Sequence, residues 1–221
     1  MDNHPTIQHL WFDFDGTITF QTPEFHAAHD ELRHRTYANA TGKPLTEKLK
    51  EEFHGLYKKY GSNSAVFRSL GLPTNYWQEH FNTLDVSKLY KPNPSINMTL
   101  DYLRTKLPIS LFTNLTGDKI PKMLSLIAIE QSWFTHVLSG DDIKERKPAL
   151  DGFYKMIELS QLPAKDLMYV GDRVDVDLKP AKAVGIQTCL MWGKSEETDF
   201  SCEKFEDLIE IVLPGSSTLS K

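Results

Sequence analysis

Cysteine is nearly absent from this 221-residue chain, with only Cys189 and Cys202 present. A chain of this length can bury a core of its own, so no disulfide framework or metal staple is required. There is no excess of cations either, since 25 Lys and Arg stand against 30 Asp and Glu for a net charge of -5. That balance argues against a nucleic-acid polymer as partner, because such binding draws most of its affinity from clustered basic residues. No run approaches the roughly 18 apolar residues of a membrane span, so no membrane association is expected. The opening Met1-Asp2-Asn3-His4-Pro5 lacks the basic-then-apolar layout of a signal peptide, which makes a reducing cytoplasm the expected location. Nothing in the composition speaks to oligomeric state.

What is present is a series of short apolar runs separated by helix-like stretches. Leu10 to Phe12, Ile109 to Phe112, Phe134 to Leu138, Leu167 to Val170 and Gln187 to Met191 read as strands. Residues 95–106, Gly117 to Ile127, Ala149 to Leu159 and Asp177 to Val184 read as the helices between them. This alternation predicts an α/β fold with a Rossmann-like parallel sheet, whose ligand site lies at the C-terminal ends of the strands. One stretch breaks the pattern, because residues 20–90 carry helical periodicity only. Thr22 with Pro23 can start a helix that Gly42 ends, and Leu49, Phe53, Leu56 and Tyr60 continue at helical spacing. The expected organisation is therefore a core domain of 1–19 and 91–213, an inserted all-helical subdomain at 20–90, and a flexible tail at 214–221.

Chemistry concentrates where the predicted strands end. Asp13-Phe14-Asp15-Gly16-Thr17 follows the first apolar run, and residues two apart on a strand project to the same side. One carboxylate can attack while the other moves protons. Phe112 is followed by Thr113 and Asn114, a hydroxyl and a backbone amide suited to holding an anion. Lys147-Pro148 supplies a point charge that fits phosphate oxygens. Gly171-Asp172-Arg173-Val174-Asp175-Val176-Asp177 offers acids to a hard cation, with Asp172 and Asp13 as the leading ligands. Asp175 and Asp177 suit either of two roles, orienting metal-bound water or Lys147, or capping a helix.

Taken together and in order, these four segments resemble the haloacid dehalogenase superfamily in its phosphatase branch, over about residues 8 to 191. The resemblance implies a magnesium-dependent phosphatase acting on a small phosphorylated metabolite. Asp13 would be the nucleophile, Asp15 the general acid and base, Thr113, Asn114 and Lys147 the phosphate-binding groups, and Asp13, the main-chain carbonyl of Asp15 and Asp172 the magnesium ligands. It also implies that the helical insert is the family's cap, which closes over the site and sets substrate choice.

Rival readings separate on particular residues. A dehalogenase needs neither Asp15 nor Asp172. A phosphonate-cleaving enzyme needs a Schiff-base lysine, whereas Lys48, Lys50, Lys58 and Lys59 fall in a charged helical face. A phosphomutase shares the whole core, and a catalytically silent binding protein would be expected to have lost the nucleophile. For the leaving group, Tyr60-Gly61-Ser62 and Leu70-Gly71 are faintly similar to a nucleotidase subgroup, although Gly171-Asp172-Arg173 departs from its Asp-Asp-Ser. Tyr76, Trp77 and Phe81 are read as core of the insert before base-stacking groups. His26, His29 and His34 read as a polar helix face before a metal cluster. Phe20, Gln21, Glu24 and Phe25 are the expected contacts to a leaving group.

Overall fold

The computed structural model describes residues 6–19 and 22–215. Phe20, Gln21, the opening pentapeptide and tail residues 216–221 lie outside the described residues. Contacts divide the chain into two compact units, residues 1–20 with 91–221, and residues 21–90.

The first unit is an α/β layer structure around a six-stranded, all-parallel sheet. Its strands are β1 (His9–Phe12), β2 (Ile109–Phe112), β3 (Val137–Leu138), β4 (Leu167–Gly171), β5 (Gln187–Met191) and β6 (Phe200–Cys202), in the order β3-β2-β1-β4-β5-β6. The chain reverses its direction of strand addition between β1 and β4, and a crevice at that switch point is where such sheets hold ligands. β1, β2 and β4 are buried along their whole length and mostly apolar, with His9 and Ser110 as buried polar residues that bond to each other at 2.8 Å. β3 is shorter than the run from Phe134 suggests, because Gln131–Trp133 winds into a 3₁₀ turn and Phe134 serves as a buried anchor. β6 was not legible at all, being three residues at the sheet edge behind a polar loop.

The first helix of this unit carries a clear start signal. Asn93 accepts from the Ser95 and Ile96 amides ahead of a helix at Pro94–Arg104, whose buried side is Ile96, Thr99, Leu100 and Leu103. A helix at Asp151–Ser160 buries Gly152, Phe153 and Met156 on the sheet. Gly152 is there because the Phe112 ring occupies the space that a Cβ would take. Phe112 is itself locked against Phe153 and Tyr169. Gly152→Ala is therefore expected to destabilise the fold by about 2 kcal/mol despite alanine's better helix propensity. Gly55→Ala, with open space at its Cβ, is expected to stabilise by up to about 1 kcal/mol. Paired denaturant titrations check both, and equal effects would sink the packing argument.

The second unit is all helical, with helices at Pro23–Thr41, Glu47–Tyr60, Asn63–Ser69 and Tyr76–Phe81. Thr22 and Thr46 cap the first two through their hydroxyls, and Gly42 and Gly61 end them in the left-handed region. Its core is Leu32, Tyr37, Leu49, Phe53, Val66, Phe67 and Trp77. Trp77 stacks on Phe67, with ring centroids 5.8 Å apart, so this aromatic belongs to the packing. The three histidines separate. His29 stacks on Phe25 and meets Asn63, His34 pairs with His54, and His26 is exposed. Phe25 is likewise buried within this unit against Tyr90 and His29. Lys48, Lys58 and Lys59 are exposed, as a charged helical face requires. No helix is long and apolar enough to cross a membrane among the described residues.

Candidate active site

Parallel register places the groups that matter side by side. Phe12 pairs with Leu111 on one flank and with Val170 on the other, so the next residues in line are Asp13, Phe112 and Gly171. Asp13 leaves β1 almost fully buried, and its amide still donates to Val170 O at 2.9 Å. Gly16, with φ 82°, then turns the chain, and Thr19 closes that turn by accepting from the Gly16 amide and bridging to Asp15. Trp192 donates to Gly16 O at 2.8 Å from beyond β5. Asp15 is held in this turn, partly exposed.

Lys147 reaches Asp13 from a loop 134 residues away. Its Nζ donates to Asp13 Oδ1 at 2.6 Å, to Asp177 Oδ1 at 2.7 Å and to the Tyr169 hydroxyl at 2.6 Å, with Phe112 O more distant at 3.4 Å. The lysine and both carboxylate side chains are essentially without solvent exposure. Burial alone would lower the ammonium's pKa, but Asp13 and Asp177 outweigh it and the net shift is upward, so the lysine stays charged. An ammonium has three N–H groups, and three short acceptors use them. These three protein acceptors hold the Lys147 amine beside Asp13 at the end of β1.

Asn114 turns its side chain onto the backbone of Lys147. Its side-chain Oδ1 accepts from the Lys147 amide at 2.9 Å and its Nδ2 donates to the Lys147 carbonyl at 3.1 Å. A two-point clamp of this kind fixes the lysine's backbone to the end of β2, and it leaves the side-chain amide little for a ligand. Thr113 is buried, and its hydroxyl accepts from the Leu115 amide at 3.1 Å, which leaves the O–H as a donor.

The acids after β4 divide. Asp177 is fully buried, because Gly171 lacks a Cβ: one there would come within 2.8 Å of Asp177 Cβ. It therefore holds Lys147 and caps no helix; its own amide donates to Arg173 O at 2.9 Å in a π-helical turn over Val174–Leu178. Asp175 points to solvent and pairs with Lys179 at 2.7 Å, outside the cluster. Asp172 is 23% exposed, with Oδ1 buried and unpartnered by any hydrogen bond. Arg173 stands over this group, its Nε 3.5 Å from Asp177 Oδ2 and 3.9 Å from Asp172 Oδ1.

Oxygens of Asp13, Asp172 and Asp177 lie within 4.8 Å of one another. Burial pushes Asp13 up to about 6 against the pull of Lys147. Burial and then the Asp13 charge push Asp172 up to about 7. Asp13 Oδ2, Asp172 Oδ1 and Asp177 Oδ2 are buried with no hydrogen-bond partner. An all-oxygen donor set with excess negative charge and three orphaned carboxylate oxygens fits a hard divalent cation.

Two groups of the site escaped the sequence reading, Tyr169 as the third partner of Lys147 and Arg173 beside the acids. Tyr169 stood in an apolar strand run, and its only signal was a polar tip two residues before Gly171. For Arg173 the signal was its spacing, four residues before Asp177 on a helical turn.

Comparisons with known proteins fall on the same segments. Residues 10–191 match the model of a family described as haloacid dehalogenase-like hydrolase. A phosphoglycolate phosphatase of Aquifex aeolicus is 27% identical over 77% of this chain and 72% of its own length. A glyceraldehyde 3-phosphate phosphatase of Methanocaldococcus jannaschii is 31% identical over 56% of this chain and 58% of its own. Among solved structures, a HAD phosphatase from Thermococcus onnurineus superposes with a TM-score of 0.68 at 19% identity, over 93% of this chain and 98% of that one.

Proposed function

Because the chain belongs to the haloacid dehalogenase-like hydrolase family, in its phosphatase branch, we propose that it is a magnesium-dependent phosphatase that hydrolyses a small phosphate monoester through an aspartyl-phosphate intermediate. The observation that carries this reading is Asp13, buried at the end of β1 with Oδ1 on Lys147 and Oδ2 unpartnered beside Asp172. Two buried thiols left unjoined, with sulfurs 3.5 Å apart, suit a reducing cytoplasm.

In the first step an Asp13 carboxylate oxygen bonds to phosphorus as the P–O bond to the ester oxygen breaks, and Asp15, protonated, gives its proton to that leaving oxygen. In the second, Asp15 as carboxylate takes a proton from water, whose oxygen displaces Asp13 from phosphorus and returns both acids to their starting forms. Lys147 keeps Asp13 ionised and oriented throughout, and Thr113 offers its O–H to the phosphoryl group. Asp13 and Asp172 would hold magnesium, which would supply positive charge to offset repulsion between the carboxylates and a phosphate dianion.

Curated relatives acting on two- and three-carbon phosphates favour a leaving group of that size. A panel of phosphoglycolate, glyceraldehyde 3-phosphate, sugar phosphates and nucleoside monophosphates, assayed with and without magnesium, tests the reading. Phosphate release that requires the metal is expected, strongest on phosphoglycolate and glyceraldehyde 3-phosphate. Activity indifferent to magnesium would refute the metal assignment. Isomerisation of a sugar phosphate without release would make the enzyme a mutase.

Metal binding also has a readout in stability. Asp13 and Asp172 have folded pKa values raised above the ordinary 3.8, so their contribution to metal-free stability is full below about pH 4 and lost as pH rises through 6 to 7. At pH 7.5 saturating magnesium is expected to restore about 2.7 kcal/mol at a hundredfold excess over Kd. Below pH 6 protons compete for the same oxygens, and the gain in melting temperature is expected to fade. A gain independent of pH would place the metal elsewhere.

A further inference from the structure

Tyr169 projects from β4 on the same face as Gly171, beside Trp11 of β1 by register and within the apolar cluster of Phe112, Phe153 and Leu178. A buried phenol needs a partner for its O–H, and Phe112 O provides one at 3.0 Å. That bond would satisfy the phenol by itself. The hydroxyl nevertheless lies 2.6 Å from Lys147 Nζ, and with its proton committed to Phe112 O it meets the ammonium only as an acceptor. The Tyr169 and Phe112 rings also flank the ammonium, with centroids 5.3 and 5.0 Å away.

We propose that Tyr169 is a positioning residue for the phosphatase reaction: its hydroxyl takes the third N–H of Lys147, so that the lysine's other two are held on Asp13 and Asp177. The assignment rests on the phosphatase reading of the site. The alternatives open to the third N–H show why an acceptor is needed. Without the hydroxyl, the nearest remaining oxygen is Phe112 O at 3.4 Å, newly released from the phenol. The ammonium would be drawn toward that carbonyl at the expense of its contact with Asp13 Oδ1, and the nucleophile would lose both orientation and a fixed counter-charge. Tyr169 does not touch substrate in this arrangement, so ground-state binding should not depend on it.

Tyr169→Phe keeps the ring, its packing and its π face while removing the one oxygen. Expected results are a fall in kcat of about tenfold, equivalent to one hydrogen bond of about 1.4 kcal/mol, with KM within about twofold. A readout that needs no turnover is the Lys147 ammonium itself, followed by ¹⁵N-correlated NMR. In the wild type its protons should exchange slowly enough to be seen, and in Tyr169→Phe that resonance should broaden or vanish. Loss of melting temperature with unchanged kcat and an unchanged resonance would mean a packing role only, and would overturn the proposal. A raised KM at constant kcat would overturn it as well. A wild type inactive on every monoester would overturn the phosphatase reading instead, and the resonance comparison tells the two failures apart.

Discussion

Asp13→Asn is expected to abolish phosphate release, with a loss on the order of 10⁴- to 10⁶-fold, as for other enzymes deprived of their nucleophile. The amide nitrogen has no lone pair to offer phosphorus, and its oxygen is a far weaker nucleophile than a carboxylate. Stability should move the other way. Burial already pushes the Asp13 carboxyl up to about 6, so the charged form is uncomfortable at neutral pH, and the neutral amide removes a desolvated charge from beside Asp172 and Asp177. Lys147 retains Asp177 as a full counter-charge at 2.7 Å. The expected variant is folded, melts no lower than the wild type without metal, and is inert toward phosphate monoesters. Turnover by Asp13→Asn at even a hundredth of the wild-type rate would exclude an aspartyl phosphate on this residue, and an unfolded variant would refute the electrostatic account of the pocket.

That site is legible in sequence to the extent that strand ends are. Asp13 and Thr113 follow an apolar run directly, Asp15 and Asp172 come within three residues of one, and Gly16 and Gly171 mark where the chain must turn or be approached closely. Position along a parallel strand then determines position in the site, because neighbouring strands end together. What could not be read is whatever depends on register and on the direction of a side chain. Asn114 and Asp177 stood out as polar groups in the right segments, yet Asn114 turns its amide onto the Lys147 backbone and Asp177 buries itself against Gly171. Tyr169 needed the β1–β4 pairing to bring it over Lys147, and a hydroxyl within an apolar run carries no periodic signal of that. The same limit explains the sheet edge. Phe200–Cys202 is too short for a pattern and is a strand only because β5 offers it an open edge. Asp175 shows the converse, a residue in the motif whose i+4 lysine draws it to solvent.

Lys147→Ala is expected to damage the fold as well as the chemistry, because the lysine is the counter-charge on which the buried acids depend. Its side chain and that of Asp177 have no exposure, and that of Asp13 has 3%. Removing one partner from such a cluster leaves carboxylates that water cannot reach, and broken buried pairs of this kind cost about 3–5 kcal/mol. Arg173 is a weaker substitute, since its Nε is 3.5 Å from Asp177 Oδ2 and its side chain is 43% exposed. The loss should depend on pH in a definite direction. Without the pull of Lys147, the folded-state pKa of Asp13 rises further above its unfolded value, and the folded variant gains protons as the solution is acidified. The stability deficit relative to wild type is therefore expected to be largest at pH 8 and to shrink by pH 5, where the carboxyls are neutralised. Denaturant titrations of both proteins at the two pH values, without metal, measure it. A deficit that is constant with pH would mean that Lys147 acts through packing alone, and one that grows on acidification would reverse the electrostatic assignment of the whole cluster. Lys147→Met, which refills the stem volume without the charge, should show the same pH dependence with a smaller constant part.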